Sequence, residues 1–422
     1  MPGRRLDVEA KMISPDEALE MVLREARPCL PRAVPLGEAC GLRLAESVVA
    51  DGPYPPFARA LRDGYAVRAS DAGKTVRIAG EVAAGEVAAA SVAEGVCLEI
   101  MTGAACPAGT EAVVPNEQVS RDGDHVTLPL QISPDQHVAL PGSECRAGQV
   151  VLEPGATVTP LAVAVLASLG RKEARVVPRP SLAVITTGGE LVAPDEEPVL
   201  GQIRDSNGPM LVAMARDLGL SAPPHLHAAD REEAILAALE QAAPCDVVVL
   251  TGGVSVGRYD LVPASLKAYG AELVFHRVSQ RPGRPLLLAR KGAQLLFGLP
   301  GNPLGVHFCF HRYVTAAVRQ MEGKTAVADR RWGRLTAPIE HRGQRTYFVT
   351  ARAERGGPPG HQWRVHPLPG VTSADVFGSC GANCYAELPP GQDVVPAGAL
   401  VSFAWIAGAC ACARQPRSGE RQ

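Results

Sequence analysis

The chain has 422 residues, 46% of them apolar and 20% charged, with a net charge of −2. That length is too great for one compact core and suggests roughly three domains, and the composition is that of a globular protein. A charge so close to zero lacks the basic excess that phosphate-backbone binding needs, so nucleic acid is not an expected partner.

Along the chain, Arg4 and Arg5 are followed by Asp7, Glu9 and Lys11 where an export signal would carry its apolar core, so a cytoplasmic protein is expected. Ser14-Pro15-Asp16-Glu17 is a capping box with proline at the first helical position, which predicts a helix to about Arg27. From 51 to about 140 the pattern changes to short valine-rich runs at 75–78, 96–100, 112–114 and 125–128, broken by glycine. That is a small β domain. A helix over 160–170 follows the turn signal Pro154-Gly155.

Between 181 and about 321, strands and helices alternate. Residues 181–186, 246–250 and 295–297 are uninterrupted apolar strands, and 209–219, 232–242 and 304–319 have helical spacing. Such strands predict a parallel sheet covered on both faces. Beyond 326 short strands and glycine or proline turns return, which predicts a small C-terminal β domain closed by a strand over 400–406. The apolar stretch 397–413 is broken by Ser402 and Gly408 and falls short of the ~20 residues of a membrane span. The 11 cysteines form no C-x-x-C pair and read as reduced thiols.

In an open α/β sheet ligands sit beyond the carboxyl ends of the strands. Two loops at such ends stand out: Thr251-Gly252-Gly253-Val254-Ser255-Val256-Gly257-Arg258-Tyr259-Asp260 and Gly298-Leu299-Pro300-Gly301-Asn302-Pro303. Glycines let backbone N–H groups approach an anion, and Thr251 and Ser255 add hydroxyls. Between the loops, Arg281-Pro282-Gly283-Arg284-Pro285 offers two guanidinium groups for phosphate. Together these imply an anionic ligand. No Walker A sequence, G-x-G-x-x-G fingerprint or G-x-S-x-G elbow occurs, which sets aside ATPase, dinucleotide and hydrolase-elbow readings.

Four acidic residues lie near predicted strand ends: Glu190, Asp205, Asp230 and Asp260. Their carboxylates could hold a divalent cation beside ligand phosphates. For Asp205 and Asp230 a helix-capping role is the equal alternative; Glu190 and Asp260, with glycine neighbours, read as functional. His307 and His311 are four apart on one helix with no third ligand in view, so they read as packed core histidines rather than a metal pair.

These motifs, in this order, resemble the molybdopterin molybdenumtransferase family, which includes the C-terminal domain of gephyrin. The resemblance is carried by Asp63-Gly64-Tyr65-Ala66-Val67, Thr102-Gly103-Ala104 with Pro107 and Gly109, and Thr187-Gly188-Gly189-Glu190-Leu191. It continues through Asp205-Ser206-Asn207, both complete glycine loops, Ser373 and Ala382-Asn383. It implies a multidomain α/β plus β protein with an elongated N-terminal segment (8–48 and 142–176) and an inserted β domain (49–141). A doubly wound α/β pterin-binding domain (177–326), a C-terminal β-barrel-like domain (327–412) and a disordered tail (413–422) complete it.

The activity it implies is insertion of molybdate into adenylylated molybdopterin with release of AMP, assisted by magnesium, in a homodimer whose active site joins the α/β domain of one subunit to the first domains of the other. Catalytic roles fall to Asp63, Glu190, Asp230 and Asp260, and Mg2+ to Glu190, Asp230, Asp260 and Glu144. Pterin and phosphate contacts fall to Thr102, Thr187, Gly188, Ser206, Asn207, Thr251, Gly252, Gly253, Ser255, Gly257, Arg277, Arg281, Arg284, Pro300, Gly301, Asn302, Pro303 and Ser373. The pterin's own dithiolene ligates molybdenum, so no protein nucleophile is needed. Molybdopterin adenylyltransferase and recipient molybdoenzymes are the implied transient partners.

The chain departs from the family pattern at a few positions. Ala60 stands where a serine is usual, Gly189 where Thr-Gly-Asp-Glu has its aspartate, and Glu144 where an aspartate is usual. Arg277, Arg281 and Arg284 replace lysines, and Thr350 replaces an arginine. These changes fall on metal placement and molybdate capture more than on phosphate binding. The alternative they leave is a paralogue that binds and delivers the cofactor without inserting the metal.

Overall fold

The computed structural model describes residues 12–254, 261–325, 330–341, 343–356, 362–368 and 372–406. They divide into two compact units, one made of residues up to 32 and those from 177 onward, the other of 33–176.

The capping box forms as predicted and opens helix α1 (Pro15–Glu25). The Ser14 hydroxyl accepts the Glu17 N–H at 3.2 Å, and the Glu17 carboxylate accepts the Ser14 N–H at 2.7 Å. Two orphan donors of the first turn are thereby satisfied. Helix α1 buries Ala18 and Val22 in the core of the α/β unit, whereas the sequence grouped it with residues 142–176.

In the 33–176 unit the four predicted valine-rich runs are strands of one six-stranded sheet. Period-2 alternation gives this sheet two small cores, one around Ala66, Leu98 and Val113, the other around Tyr65, Cys97 and Val114. The remainder of the unit packs a three-stranded sheet against helix α2 (Pro160–Ser168) through Val34, Leu44, Leu166 and Val176. Thr159 caps α2, its hydroxyl accepting the Ala162 N–H at 3.1 Å.

The α/β domain contains strands β1 (Leu182–Thr187), β2 (His225–Ala228), β3 (Val247–Thr251), β4 (Glu272–His276), β5 (Leu287–Lys291) and β6 (Gln294–Leu299). Helices α3 (Asn207–Asp217), α4 (Glu232–Gln241) and α5 (Val262–Ala268) connect them. The sheet order is β2-β1-β3-β6-β5-β4. Alternate residues face opposite cores: Leu182, Val184, Val247, Val249, Leu295 and Phe297 on one side, Ala183, Ile185, Val248, Leu250 and Leu296 on the other. Both faces are covered, which is why these strands read as continuous apolar runs.

The sheet is mixed rather than wholly parallel. β2, β1, β3 and β6 are parallel, but β5 pairs antiparallel with β6 and with β4. The tight Gly292-Ala293 turn joins β5 to β6 as a hairpin, so no crossover helix was there to mark a strand. The long helix predicted over 304–319 is α6 (Pro303–Cys309), a π-helical turn (Phe310–Val314) and α7 (Thr315–Met321).

The C-terminal domain is a closed barrel of β7 (Arg330–Leu335), β8 (Thr346–Arg355), β9 (Trp363–Pro367), β10 (Cys384–Leu388) and β11 (Leu400–Trp405). The order β8-β9-β7-β11-β10 closes through the β8–β10 pairing, which leaves these strands no open edge. Phe308 stacks on Phe348 with centroids 4.4 Å apart, joining the barrel to the helix that follows β6. Among the described residues no helix is long and apolar enough to cross a membrane. The nine cysteines described there are all unpaired.

Candidate functional site

Three neighbouring parallel strands, β1, β3 and β6, end in Thr187, Thr251 and Leu299. Their loops meet above the sheet, and hydrogen bonds between residues far apart in sequence fix them. The Thr251 hydroxyl donates to the Pro300 carbonyl at 2.8 Å. The Asn207 amide donates to the Gly301 carbonyl at 2.8 Å and to Thr251 Oγ1 at 3.3 Å. Thr187 Oγ1 lies 3.4 Å from the Thr251 carbonyl. Asn302 donates to the Ser373 hydroxyl at 3.0 Å, and the Leu304 N–H to the Ser373 carbonyl at 3.2 Å. Pro303 opens α6 directly behind.

Glycine is required at the closest approach. Gly252 has φ +95°, and a Cβ there would collide with the Thr187 carbonyl and sit 2.6 Å from its hydroxyl. Only glycine meets both conditions. Gly188 (φ +152°) likewise leaves room for the Glu190 carboxylate. The oxygen of the Asn207 amide is buried and has no partner among the described residues. Because its –NH2 is committed to the Gly301 carbonyl, the unmatched atom is an acceptor.

The start of α3 is held from below. Asp205, 6% exposed, accepts the Gly208 N–H at 2.9 Å and is 3.2 Å from His225 Nε2. Thr186 Oγ1 is 3.1 Å from the same nitrogen. Burial alone would raise the Asp205 pKa, but the bonds from His225, the Gly208 N–H and Thr186 outweigh it and hold the carboxyl below the usual range. Asp205 thus makes a capping bond at the start of α3. Ser206 is exposed and its side chain makes no cap bond.

Around this cradle stand exposed carboxylates. Asp230, beyond β2, accepts the Gly189 N–H at 3.0 Å and so lies against the loop that carries Glu190. Among the described residues no group of three or more His, Cys, Asp or Glu could hold a metal ion. Asp260, Ser255 and Gly257 lie outside the described residues; Gly253 is the last glycine of its loop inside them, at φ +58°.

The arginine turn leaves the same sheet edge, because β4 runs parallel to β6. Arg277 has φ +73°, unusual for a side chain of its size, and its N–H donates to the Leu286 carbonyl at 2.8 Å. Arg281 lies over the Tyr347 ring at 4.7 Å, and both Arg281 and Arg284 are exposed. Buried Gln280 holds the turn from beneath, donating to the Gly283 carbonyl at 3.0 Å and accepting from Tyr313. A cavity of about 360 Å3 opens between this turn and the barrel, lined by Arg281, Leu304, Tyr347, Thr350, Ser373 and Tyr385. Thr350 is 5% exposed at its wall, with Oγ1 3.4 Å from Ser379 Oγ.

The remaining expected residues lie in the 33–176 unit. Asp63 accepts the Thr102 N–H at 2.6 Å and the Thr102 hydroxyl at 2.7 Å, and these bonds hold its carboxyl below the usual range. Glu144 pairs with Arg59 at 2.6 Å. Ala60 is buried and pairs with Val138 in the sheet. His307 donates to or accepts from the Tyr385 hydroxyl at 2.7 Å, and burial lowers its pKa to about 4. It is a packed neutral histidine, as its sequence setting indicated.

Sequence reasoning missed His225 and Gln280. Neither has a motif; the one signal near them was glycine in the first turn of α3. There a Cβ on Gly208 would stand 2.2 Å from two atoms of the His225 ring and 2.8 Å from Asp205 Oδ2.

Comparison with known proteins covers nearly the whole chain. A model of the MoeA N-terminal region (domain I and II) matches residues 13–170. One of a probable molybdopterin binding domain matches 183–320, and one of the MoeA C-terminal region (domain IV) matches 333–405. A Staphylococcus aureus molybdopterin molybdenumtransferase is 33% identical over 396 residues, 92% of this chain and 94% of that protein. A Staphylococcus epidermidis protein of the same name is 35% identical over 322 residues, 74% of this chain and 77% of the other. The crystal structure of a molybdopterin biosynthesis MoeA protein from Pyrococcus horikoshii OT3 superposes with a TM-score of 0.72 at 29% identity, covering 94% of this chain and 100% of that one.

Proposed function

The chain belongs to the molybdopterin molybdenumtransferase family and is a transferase of molybdenum-cofactor biosynthesis, and we propose that it inserts molybdate into adenylylated molybdopterin with release of AMP. The observation that carries this reading is the cradle at the ends of β1, β3 and β6. There Asn207 ties the two glycine loops together and keeps one buried acceptor for a ligand donor. A pterin's ring N–H and amino groups are such donors, and the backbone amides of the loops suit its phosphate.

Arg277, Arg281 and Arg284 supply the positive charge that a diphosphate linkage needs. Thr187, Gly188, Ser206, Thr251, Gly252, Gly253 and Pro300 to Pro303 shape the cradle, with Ser255 and Gly257 continuing the loop. Release of AMP is hydrolysis: a water oxygen adds to phosphorus and the phosphoanhydride P–O bond breaks, with protons exchanged with solvent. The protein's task is to orient that bond and offset charge rather than to supply a nucleophile.

Magnesium belongs to the same reading: Glu190 and Asp230 are exposed carboxylates on adjoining loops, and Asp260 is the third carboxylate that the sequence offers, hard oxygen donors of the kind Mg2+ takes. When bound, the ion would neutralise phosphate charge at the breaking bond. Glu144, assigned to the same ion by the resemblance, pairs one of its oxygens with Arg59. We assign Asp63 and Thr102 to the same reaction, acting as one hydrogen-bonded pair.

A homodimer is supported by α2, whose Leu161 is 80% exposed on a helix with no charged residue. The cytoplasm is the expected compartment, and the adenylyltransferase that makes the substrate and the molybdoenzymes that receive the product are the expected transient partners. Incubation with adenylylated molybdopterin, Mg2+ and molybdate should release AMP in step with cofactor formation. Tight pterin binding with no AMP above background would leave a cofactor-holding protein instead.

A further inference from the structure

We infer that His225 is a positioning residue for the pterin cradle, setting the Asp205 carboxylate and through it the first turn of α3, so that Asn207 can bridge the two glycine loops. This rests on the cradle being the pterin site. The chain of contacts is short and continuous. His225 Nε2 stands 3.2 Å from Asp205 Oδ2, and Asp205 Oδ1 accepts the Gly208 N–H at 2.9 Å. Asn207, immediately before Gly208, makes the 2.8 Å bond to the Gly301 carbonyl and the 3.3 Å bond to Thr251. Thr186 Oγ1, 3.1 Å from His225 Nε2 and 3.5 Å from His227 Nδ1, closes the network from β1.

Two features set this apart from an incidental surface histidine. Asp205 is buried, and a buried carboxylate stays in one rotamer only while its donors hold it. Gly208 is the second feature. Its missing Cβ is what lets the imidazole lie against the helix start, since a Cβ there would stand 2.2 Å from two atoms of the ring. Among the described residues His225 touches neither glycine loop, so its influence on ligand travels through its neighbours, Asp205 with Asn207 on one side and Thr186 on the other.

The experiment uses the full-length chain and follows AMP release from adenylylated molybdopterin for His225→Ala, His225→Gln, Gly208→Ala, the Gly208→Ala/His225→Ala double variant and Asn207→Ala. Thermal melting first establishes that each is folded. His225→Ala should raise KM about tenfold with kcat within about twofold, the pattern of lost substrate positioning. His225→Gln keeps an N–H donor at similar reach and should return KM to within about threefold of wild type. Gly208→Ala alone should resemble His225→Ala, and the double variant should lose less than the sum of the two, because the clash with the ring disappears and only the 2.8 Å approach to Asp205 Oδ2 remains.

A wild-type KM for His225→Ala, or additive losses in the double variant, would overturn the inference. So would failure of folded His225→Gln to restore KM. Asn207→Ala separates the two levels: a wild-type KM there would sink the cradle as pterin site. A raised KM for Asn207→Ala beside an unchanged one for His225→Ala would sink only the role of His225.

Discussion

The cradle at the ends of β1, β3 and β6 and the carboxylates around it are built on opposite principles. In the cradle, Thr187, Asn207 and Thr251 direct their polar atoms inward to tie loop to loop, and the two threonines are buried. Glu190 and Asp230 are exposed, and Asp230 accepts a hydrogen bond from a backbone N–H. A ligand meeting the cradle finds Thr187, Asn207, Thr251, Pro300 and Gly301 already tied together, which lowers the ordering cost of binding. A cation meeting the carboxylates must order them as it arrives. Binding and chemistry should therefore respond separately to substitution.

The largest effect should come from breaking the cradle itself. Gly252→Val places a side chain at positive φ and against Thr187, and should cost about 3 kcal/mol of stability and abolish pterin binding. Chemical denaturation and equilibrium binding check it, and a variant that still binds at wild-type affinity would show that the loops are not rigid. Next, Glu190→Gln combined with Asp230→Asn should lower AMP release about a hundredfold while pterin affinity stays within about threefold. Parallel losses in both would merge the two regions into one.

A pH effect of intermediate size sharpens the boundary between the α/β domain and the barrel. Burial depresses the His307 pKa to about 4 from its ordinary 6.5. The unfolded chain therefore binds that proton first as pH falls, so stability is complete above about 6.5 and declines toward 4. On the order of 2 kcal/mol should be lost by pH 5. Urea unfolding of His307→Gln should show a flatter pH dependence than wild type; equal slopes would assign the acid sensitivity to other groups. The smallest effect on either region should follow Leu161→Asp, which leaves folding intact and shifts sedimentation from dimer toward monomer.

Much of the scaffold was legible in the sequence because local rules decided it. The Ser14 capping box, the continuous apolar runs of β1 and β3 and the helix behind Pro303 were all readable from their neighbours. β4 and β5 were not, because they flank the arginine turn and no helix separates β5 from β6. The glycine loops were legible as anion sites, but their fastening was not. The contacts of Asn207 with Thr251 and Gly301 span 44 and 94 residues, and the support of Gln280 by Tyr313 spans 33. Side chains chosen for distant partners carry no local pattern. Pairings such as Asp63 with Thr102 and Glu144 with Arg59 were hidden for the same reason.

The separation of binding from chemistry is tested most directly by titrating the protein with adenylylated molybdopterin in the presence of a magnesium chelator and then restoring Mg2+. A preformed cradle predicts affinity within about threefold with and without the ion, and AMP release only after it is restored. Loss of pterin binding in the chelator would contradict the account and place the metal within the binding site itself.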